Sequence, residues 1–147
     1  MIYQQTVTIK NRNIEKVIDS FHKIDFIKFL ISLQPVRIIK WDGIENDLIA
    51  HLKFWLLKWH SFIVIHKNYK RTNTSLSFVD SGITLPMGIK EWNHLHEVKY
   101  LNDNIIIKDF IEFKHRFYIL ELLLYPILIS PIIMRKFLYK IYFKKFK

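Results

Sequence analysis

The residues in this sequence best placed to do chemistry are His94, His96 and Asp109. Trp92, His94, His96 and Val98 alternate with Asn93, Leu95, Glu97 and Lys99, which predicts a strand over 92–100 with both imidazoles on one face. Asn102-Asp103-Asn104 is a turn signal, and Ile105 to Phe113 returns with strong strand propensity, so the two runs form a hairpin. A loop of two residues (Asn102, Asp103) or four (Leu101 to Asn104) puts His96 opposite Asp109 and Trp92 opposite Phe113; an odd loop breaks that pairing. A histidine beside a carboxylate is the pairing used in general acid–base catalysis, which makes His96 and Asp109 the catalytic candidates. The same two groups can instead satisfy each other inside a sheet and fix the hairpin register, with no chemistry at all.

Residues two apart on a strand could also share a metal, with His60 or His66 as a third ligand. Gly88, followed after five residues by His94-x-His96, copies the opening of the cupin metal motif. The copy then fails: the Glu expected four or five residues beyond His96 is missing, Glu97 points to the opposite face, and no second half with its own His follows. No metal and no cofactor is therefore assigned. The chain has no Cys, which excludes a disulfide framework, a thiolate nucleophile and a Cys-based metal site. There is no G-x-S-x-G turn, phosphate loop or paired-carboxylate motif. A non-catalytic or weakly catalytic protein is the expectation.

The elements that must position these residues follow from periodicity. The 147 residues suit a single domain, 1–147, and a chain that is 50% apolar with 3 Gly and 4 Pro is not disordered over most of its length. Tyr3 to Ile9 is a short strand. Asn13 caps a helix carrying Ile14, Val17, Ile18 and Phe21, and Asp25 caps a second, which Pro35 ends near Gln34. Val36 to Trp41 is a strand closed by Trp41-Asp42-Gly43. In the next, Leu48, Ala50, Leu52 and Phe54 form an apolar face, with Ile49, His51, Lys53 and Trp55 opposite. Trp59 to His66 is apolar on both sides, as in a strand covered on each face. Tyr69 to Asn73 is a polar loop before the strand that starts at Ser75.

After Phe113 the period changes. Phe117 to Met134 holds one carboxylate, Glu121, within 18 residues, and the C-terminal helix extends over about 117–146, kinked or restarted at Pro126 and Pro131. Eighteen residues are marginally long enough to span a bilayer, but Glu121, the prolines and the basic tail oppose insertion. The net charge is +10, and Arg135, Lys136, Lys140, Lys144, Lys145 and Lys147 supply six of it, with no acidic residue after Glu121. No reading helix or RNA-binding aromatic motif accompanies the charge, so nucleic acid is disfavoured as a partner. The Lys-and-aromatic tail (Phe137, Tyr139, Tyr142, Phe143, Phe146) has the composition of an interfacial helix, which adds a membrane surface as an expected partner. The start, MIYQQTVTIK, lacks the pattern of a signal peptide; the expected location is cytoplasmic, peripheral to the membrane at most.

The element order β-α-α-β6-α, together with Asp80, Gly82, Leu85, Pro86, Trp92, His94-x-His96 and Asp109, resembles the START-like, polyketide-cyclase-like (SRPBCC) ligand-binding superfamily. The helix from Asp25 to Pro35 followed by a Val36-Arg37 strand is similar as well. Two departures stand out: Asn102 to Asn104 where relatives often carry Gly, and a final helix that is unusually apolar and twice interrupted by proline. The resemblance implies an α+β helix-grip fold, a curved antiparallel seven-stranded sheet wrapped around a long C-terminal helix. It also implies a cavity between sheet and helix for a hydrophobic small molecule (a lipid, isoprenoid or polycyclic compound), and some members of the superfamily are cyclases or hydrolases. Trp41, Trp55, Phe78, Trp92 and Phe113 are the candidate walls, with His94, His96 and Asp109 the polar end; residue by residue, a Trp or Phe in a strand is core more often than pocket.

Overall fold

The computed structural model describes residues 1–146. In chain order the elements are β1 (Ile2–Lys10), α1 (Ile14–Phe21), α2 (Ile24–Ile31), β2 (Val36–Trp41), β3 (Ile49–Leu56), β4 (Lys58–Arg71), β5 (Ser75–Thr84), β6 (Ile89–Leu101), β7 (Asn104–His115) and α3 (Tyr118–Phe143). The seven strands form one curved antiparallel sheet in the order β1-β7-β6-β5-β4-β3-β2. Strands β2 to β7 follow one another by hairpins, and α1 and α2 carry the chain between the two edge strands.

Local chemistry explains most of these boundaries. Asn13 caps α1, its side chain accepting from Lys16 N at 3.0 Å. The β6–β7 turn is the two-residue Asn102-Asp103, both at positive φ (48° and 61°), a conformation these residue types tolerate better than most. That even loop sets Trp92 opposite Phe113 and His96 opposite Asp109. Gly88 lies at φ 77°, with His115 Nε2 only 2.9 Å from where a side chain would begin, so a tight turn explains its identity without a metal motif.

Several elements differ from the sequence expectation. Lys23, not Asp25, takes the N-cap position of α2, without a side-chain bond, and Asp25 lies inside the first turn. The polar loop from Tyr69 is shorter than expected, because β4 continues to Arg71 around an irregularity at Asn68. Trp59 to His66 is not covered on both faces: Val64 and His66 are buried, whereas Trp59, Ile63 and Ile65 form a half-exposed outer face. Finally, α3 is one helix through Pro126 and Pro131. Pro131 removes the N–H that would bond Ile127 O, and the Ser130 hydroxyl donates to that oxygen instead, at 3.2 Å.

Two clusters make the interior. Val7, Ile9, Ile105 and Ile107 of the sheet pack with Phe21, Phe26 and Leu30 of the short helices and with Leu138, Tyr139 and Phe143 of α3. At the other end, Ile111, Phe113, Trp92 and Val64 meet Leu128, Ile129 and Ile132. Glu121 anchors the start of α3, accepting from the Met1 amino group at 2.6 Å and from His115 N at 3.0 Å.

Candidate ligand-binding site

Between the two clusters a cavity of about 410 Å³ opens. Its floor is made by alternate residues of four neighbouring strands, because side chains two apart share a face: Ala50, Leu52 and Phe54 on β3, Phe62, Val64 and His66 on β4, Phe78 and Asp80 on β5, Trp92, His94 and His96 on β6. Trp41 and the segment from Ile27 to Pro35 close one side, and Ile127 to Arg135 of α3 lie across the top. Most of the wall is apolar. The polar groups converge at one end, where His66, Asp80, His94, His96 and Arg135 meet.

Of the residues singled out from sequence, Trp41, Trp55, Phe78, Trp92, His94 and His96 line this space, Trp55 half-exposed at its rim. Phe113 and Asp109 do not. Phe113 is fully buried between Trp92 and Tyr125, because its strand neighbour Trp92 stands between it and the opening. Asp109 is likewise inaccessible and lies behind the histidines. His60 is remote from the group and hydrogen-bonds Leu56 O.

The carboxylate of Asp109 collects neighbours from three elements, β1, β6 and α3. His94 Nε2 is 2.9 Å from Oδ1, Gln5 Nε2 donates to Oδ2 at 2.9 Å, and the Tyr139 hydroxyl lies 3.4 Å from both oxygens. His96 Nδ1 is 3.3 Å from Oδ1, and its Nε2 is 3.0 Å from Asp80 Oδ2. Asp80 in turn faces His66 Nε2 at 3.2 Å through Oδ1, and His66 Nδ1 faces Leu48 O at 2.9 Å. The contacts at 3.2 and 3.3 Å lack the direction of hydrogen bonds, so the attraction there is between charges.

His66 and His96 each have an oxygen acceptor against both ring nitrogens. A neutral imidazole would turn a lone pair toward one of them, so the arrangement favours the cation. Burial pushes both pKa values down, and the Asp80 carboxylate, joined for His96 by Asp109, more than reverses this and holds them above the ordinary value. His94 has only one acceptor. Burial and the neighbouring His96 cation push its pKa down to about 4, so it stays neutral. Burial opposes ionisation of Asp80 and Asp109 too, but their histidine partners hold both carboxyls well below the usual range. The Tyr139 hydroxyl is pushed up, first by burial and then by Asp109.

Asp80, His94 and His96 offer three donor atoms within 4.8 Å of one another, close enough for a shared metal ion. The remaining chemistry fits one poorly. Both nitrogens of His96 are already engaged by carboxylates, and the Arg135 guanidinium lies 3.9 Å from Asp109, adding positive charge where a cation would sit. The same double engagement turns both His96 nitrogens toward carboxylates of the protein.

Sequence reasoning missed Asp80 and Arg135 as parts of this group. Asp80 shares a strand face with Phe78 two residues earlier, and Arg135 falls at helical spacing with Leu128, Ile132 and Tyr139, so both had a signal. Arg135 is not a tail charge; it is mostly buried above the cavity.

No protein-family model matches the sequence, and no curated protein does. Solved structures do match the fold. Norcoclaurine synthase from Thalictrum flavum, solved in complex with dopamine and hydroxybenzaldehyde, superposes with a TM-score of 0.65 at 15% identity, over 100% of this chain and 88% of that one. Hypothetical protein jhp0584 from Helicobacter pylori gives a TM-score of 0.60 at 11% identity, over 78% of this chain and 70% of that one. The chain has the helix-grip fold. This is the fold that the START-like resemblance in the sequence implied. The cavity lies between the concave side of the sheet and the last helix.

Proposed function

We propose that the protein binds and carries a hydrophobic small molecule, of lipid, isoprenoid or polycyclic type, in the cavity between sheet and α3. The observation that carries this reading is the cavity itself. At about 410 Å³ it falls in the roughly 300–1,000 Å³ range of small-molecule sites, and its walls are aliphatic and aromatic with polar groups gathered at one end. A structural neighbour, norcoclaurine synthase, was solved in complex with dopamine and hydroxybenzaldehyde, which supports the use of this fold to bind small organic molecules. The test is to purify the protein under native conditions, extract it with organic solvent and identify what was bound by mass spectrometry. A stoichiometric apolar compound is expected. A reproducibly empty protein that also fails to bind any of a panel of hydrophobic probes would remove the reading.

A second observation favours contact with a membrane surface, though not through the tail. Tyr139 and Phe143 are fully buried and Tyr142 and Phe146 pack on the core, leaving Phe137 as the exposed aromatic of that group. The exposed apolar surface lies instead on the first half of α3, where Tyr118, Ile119 and Leu123 are 68%, 71% and 62% accessible. Lys114 and Arg116 stand beside its start, which suits an anionic bilayer. This surface lies beside the cavity roof, so it offers an apolar cargo a short path out of a membrane. Flotation with phosphatidylserine-containing vesicles should recover the wild-type protein and lose it when Ile119 and Leu123 are both changed to Glu; equal recovery of the two would refute the contact. Truncation after Met134 cannot serve here, because it removes buried Tyr139 and Phe143 from the core.

A further inference from the structure

The guanidinium of Arg135 is the one strongly charged group at the cavity with no carboxylate in hydrogen-bond contact among the described residues; its polar neighbour is the Tyr139 hydroxyl. It is 19% accessible, it lines the cavity, and its nearest carboxylate oxygen, Asp109 Oδ1, is 3.9 Å away, beyond hydrogen-bonding distance. Asp109 has no capacity left for it, since His94, His96, Gln5 and Tyr139 already crowd its two oxygens. The carboxylate of Asp80 is likewise engaged, by His66 through one oxygen and by His96 through the other. The two carboxylates are thus taken up by the histidines, and the guanidinium is left facing the end of an otherwise apolar space. A guanidinium that no carboxylate engages keeps donors free for a ligand, and an anionic group that accepts two of them in parallel is the geometry it matches best.

We infer that the ligand is an amphipathic organic acid whose single carboxylate is clamped by Arg135 while its apolar body lies along the wall formed by Trp41, Phe62, Val64 and Trp92. This rests on the carrier reading above and narrows it. A carboxylate suits the site better than a phosphate monoester, because a second negative charge would fall close to Asp80 and Asp109.

The experiment compares dodecanoic acid, methyl dodecanoate and dodecanol at pH 7, following quenching of the cavity tryptophans and calorimetric titration. Wild-type protein should bind the acid at least about tenfold more tightly than the ester or the alcohol. In Arg135→Gln the preference should collapse to within about twofold while affinity for the ester is retained; Arg135→Lys should keep part of it, since the charge remains and the two-pronged geometry does not. Equal binding of acid and ester by the wild-type protein overturns the inference while leaving the carrier reading intact, and needs no variant. A preference that survives in Arg135→Gln overturns it as well. Failure to bind any of the three overturns the inference, while the carrier reading falls only if solvent extraction and the wider probe panel are empty too.

Discussion

From Leu138 to Phe143 α3 buries Leu138, Tyr139 and Phe143, whereas from Tyr118 to Leu123 it leaves every side chain but Glu121 substantially exposed, although the first half is the more apolar in composition. The difference lies in what is available to cover each half. The helices α1 and α2 are eight residues each and reach only the C-terminal part of α3, where Phe26 packs 6.0 Å from Tyr139 and 5.3 Å from Phe143, ring centre to ring centre. The first half meets the sheet along one narrow stripe and, among the described residues, has nothing on its other flank. A helix of 26 residues whose best 18-residue window has a mean hydropathy of 1.6 has the length and composition to cross a bilayer, yet it is pinned to the sheet at both ends, by Glu121 and by Phe143. Apolar composition therefore describes the whole helix, while burial is decided by short neighbours elsewhere in the chain.

The sharpest way to break that contrast is to remove one apolar side chain from each half. Phe26→Ala at the closed end should cost roughly 3–5 kcal/mol in urea unfolding, because a fully buried ring leaves a cavity that its aromatic neighbours cannot fill. Leu123→Ala at the open end should stay within about 0.5 kcal/mol. Comparable losses at both sites would mean that the exposed flank of α3 is covered in solution.

The polar group between the halves gives a smaller, pH-dependent effect. The raised pKa values of His66 and His96 mean that the folded state holds protons the unfolded state releases first. Their contribution is fully present below about pH 6.5, the unfolded value, and is lost as pH rises through the folded values. His94 works in the opposite sense: with its folded pKa down at about 4, the unfolded chain takes its proton first, and stability falls between about pH 6.5 and pH 4. The two aspartates, depressed in the folded state, add stability above their unfolded values near pH 4 and lose it as pH falls further. Stability should thus peak close to pH 6.5, with alkaline slopes of up to about 1.4 kcal/mol per pH unit for each histidine. Asp80→Asn should flatten the alkaline side, since both histidines depend on that carboxylate; an unchanged profile in chemical denaturation from pH 5.5 to 8.5 would show that the histidines are not held as cations.

A cavity wall offers a test that separates space from stability. Val64→Phe adds bulk toward the opening, so it should change unfolding free energy by about 1 kcal/mol or less, where the same overpacking in the closed cluster would cost about 1–3 kcal/mol. Ligand affinity should fall with it. A large loss of stability would mean that the space at Val64 is already filled.

The fold was legible because its two strongest signals are local. The period-two alternation around His94 and the even turn at Asn102-Asp103 fix the β6–β7 register, and the remaining hairpins follow from adjacent strands. The candidate site was legible only in part. Strand alternation identified His94, His96, Phe78 and Trp92 as facing one way, but it could not say that Trp92 would screen Phe113 from the opening, since that depends on sheet curvature. Nor could it show that Asp109 would be enclosed by groups arriving from β1 and α3. Arg135 was hidden by its neighbours in sequence: Lys136 and Lys140 made it look like one charge in a basic tail, when its helical face belongs with Ile132 and Tyr139.

The smallest effect expected concerns the turns at the two ends of the sheet. Where the closed end turns, at Asn11, Asp47 and Asn102-Asp103, the residues at positive φ are asparagines and aspartates. At the end where α3 begins, the residues forced to positive φ are Leu57, at 62°, and Met87, at 56°. A leucine gains nothing in that conformation that offsets the contact between its Cβ and the backbone, about 1–2 kcal/mol for an L residue. Leu57 is also 90% exposed, so its side chain contributes no burial in return. Leu57→Gly relieves the contact and gives back part of the gain through the greater freedom of glycine in the unfolded chain, for a net stabilisation of about 0.5–1 kcal/mol. If urea unfolding shows no gain, Leu57 is held by something in solution, and its exposure beside Trp55 and Trp59 at the open end would then mark a surface that meets a partner.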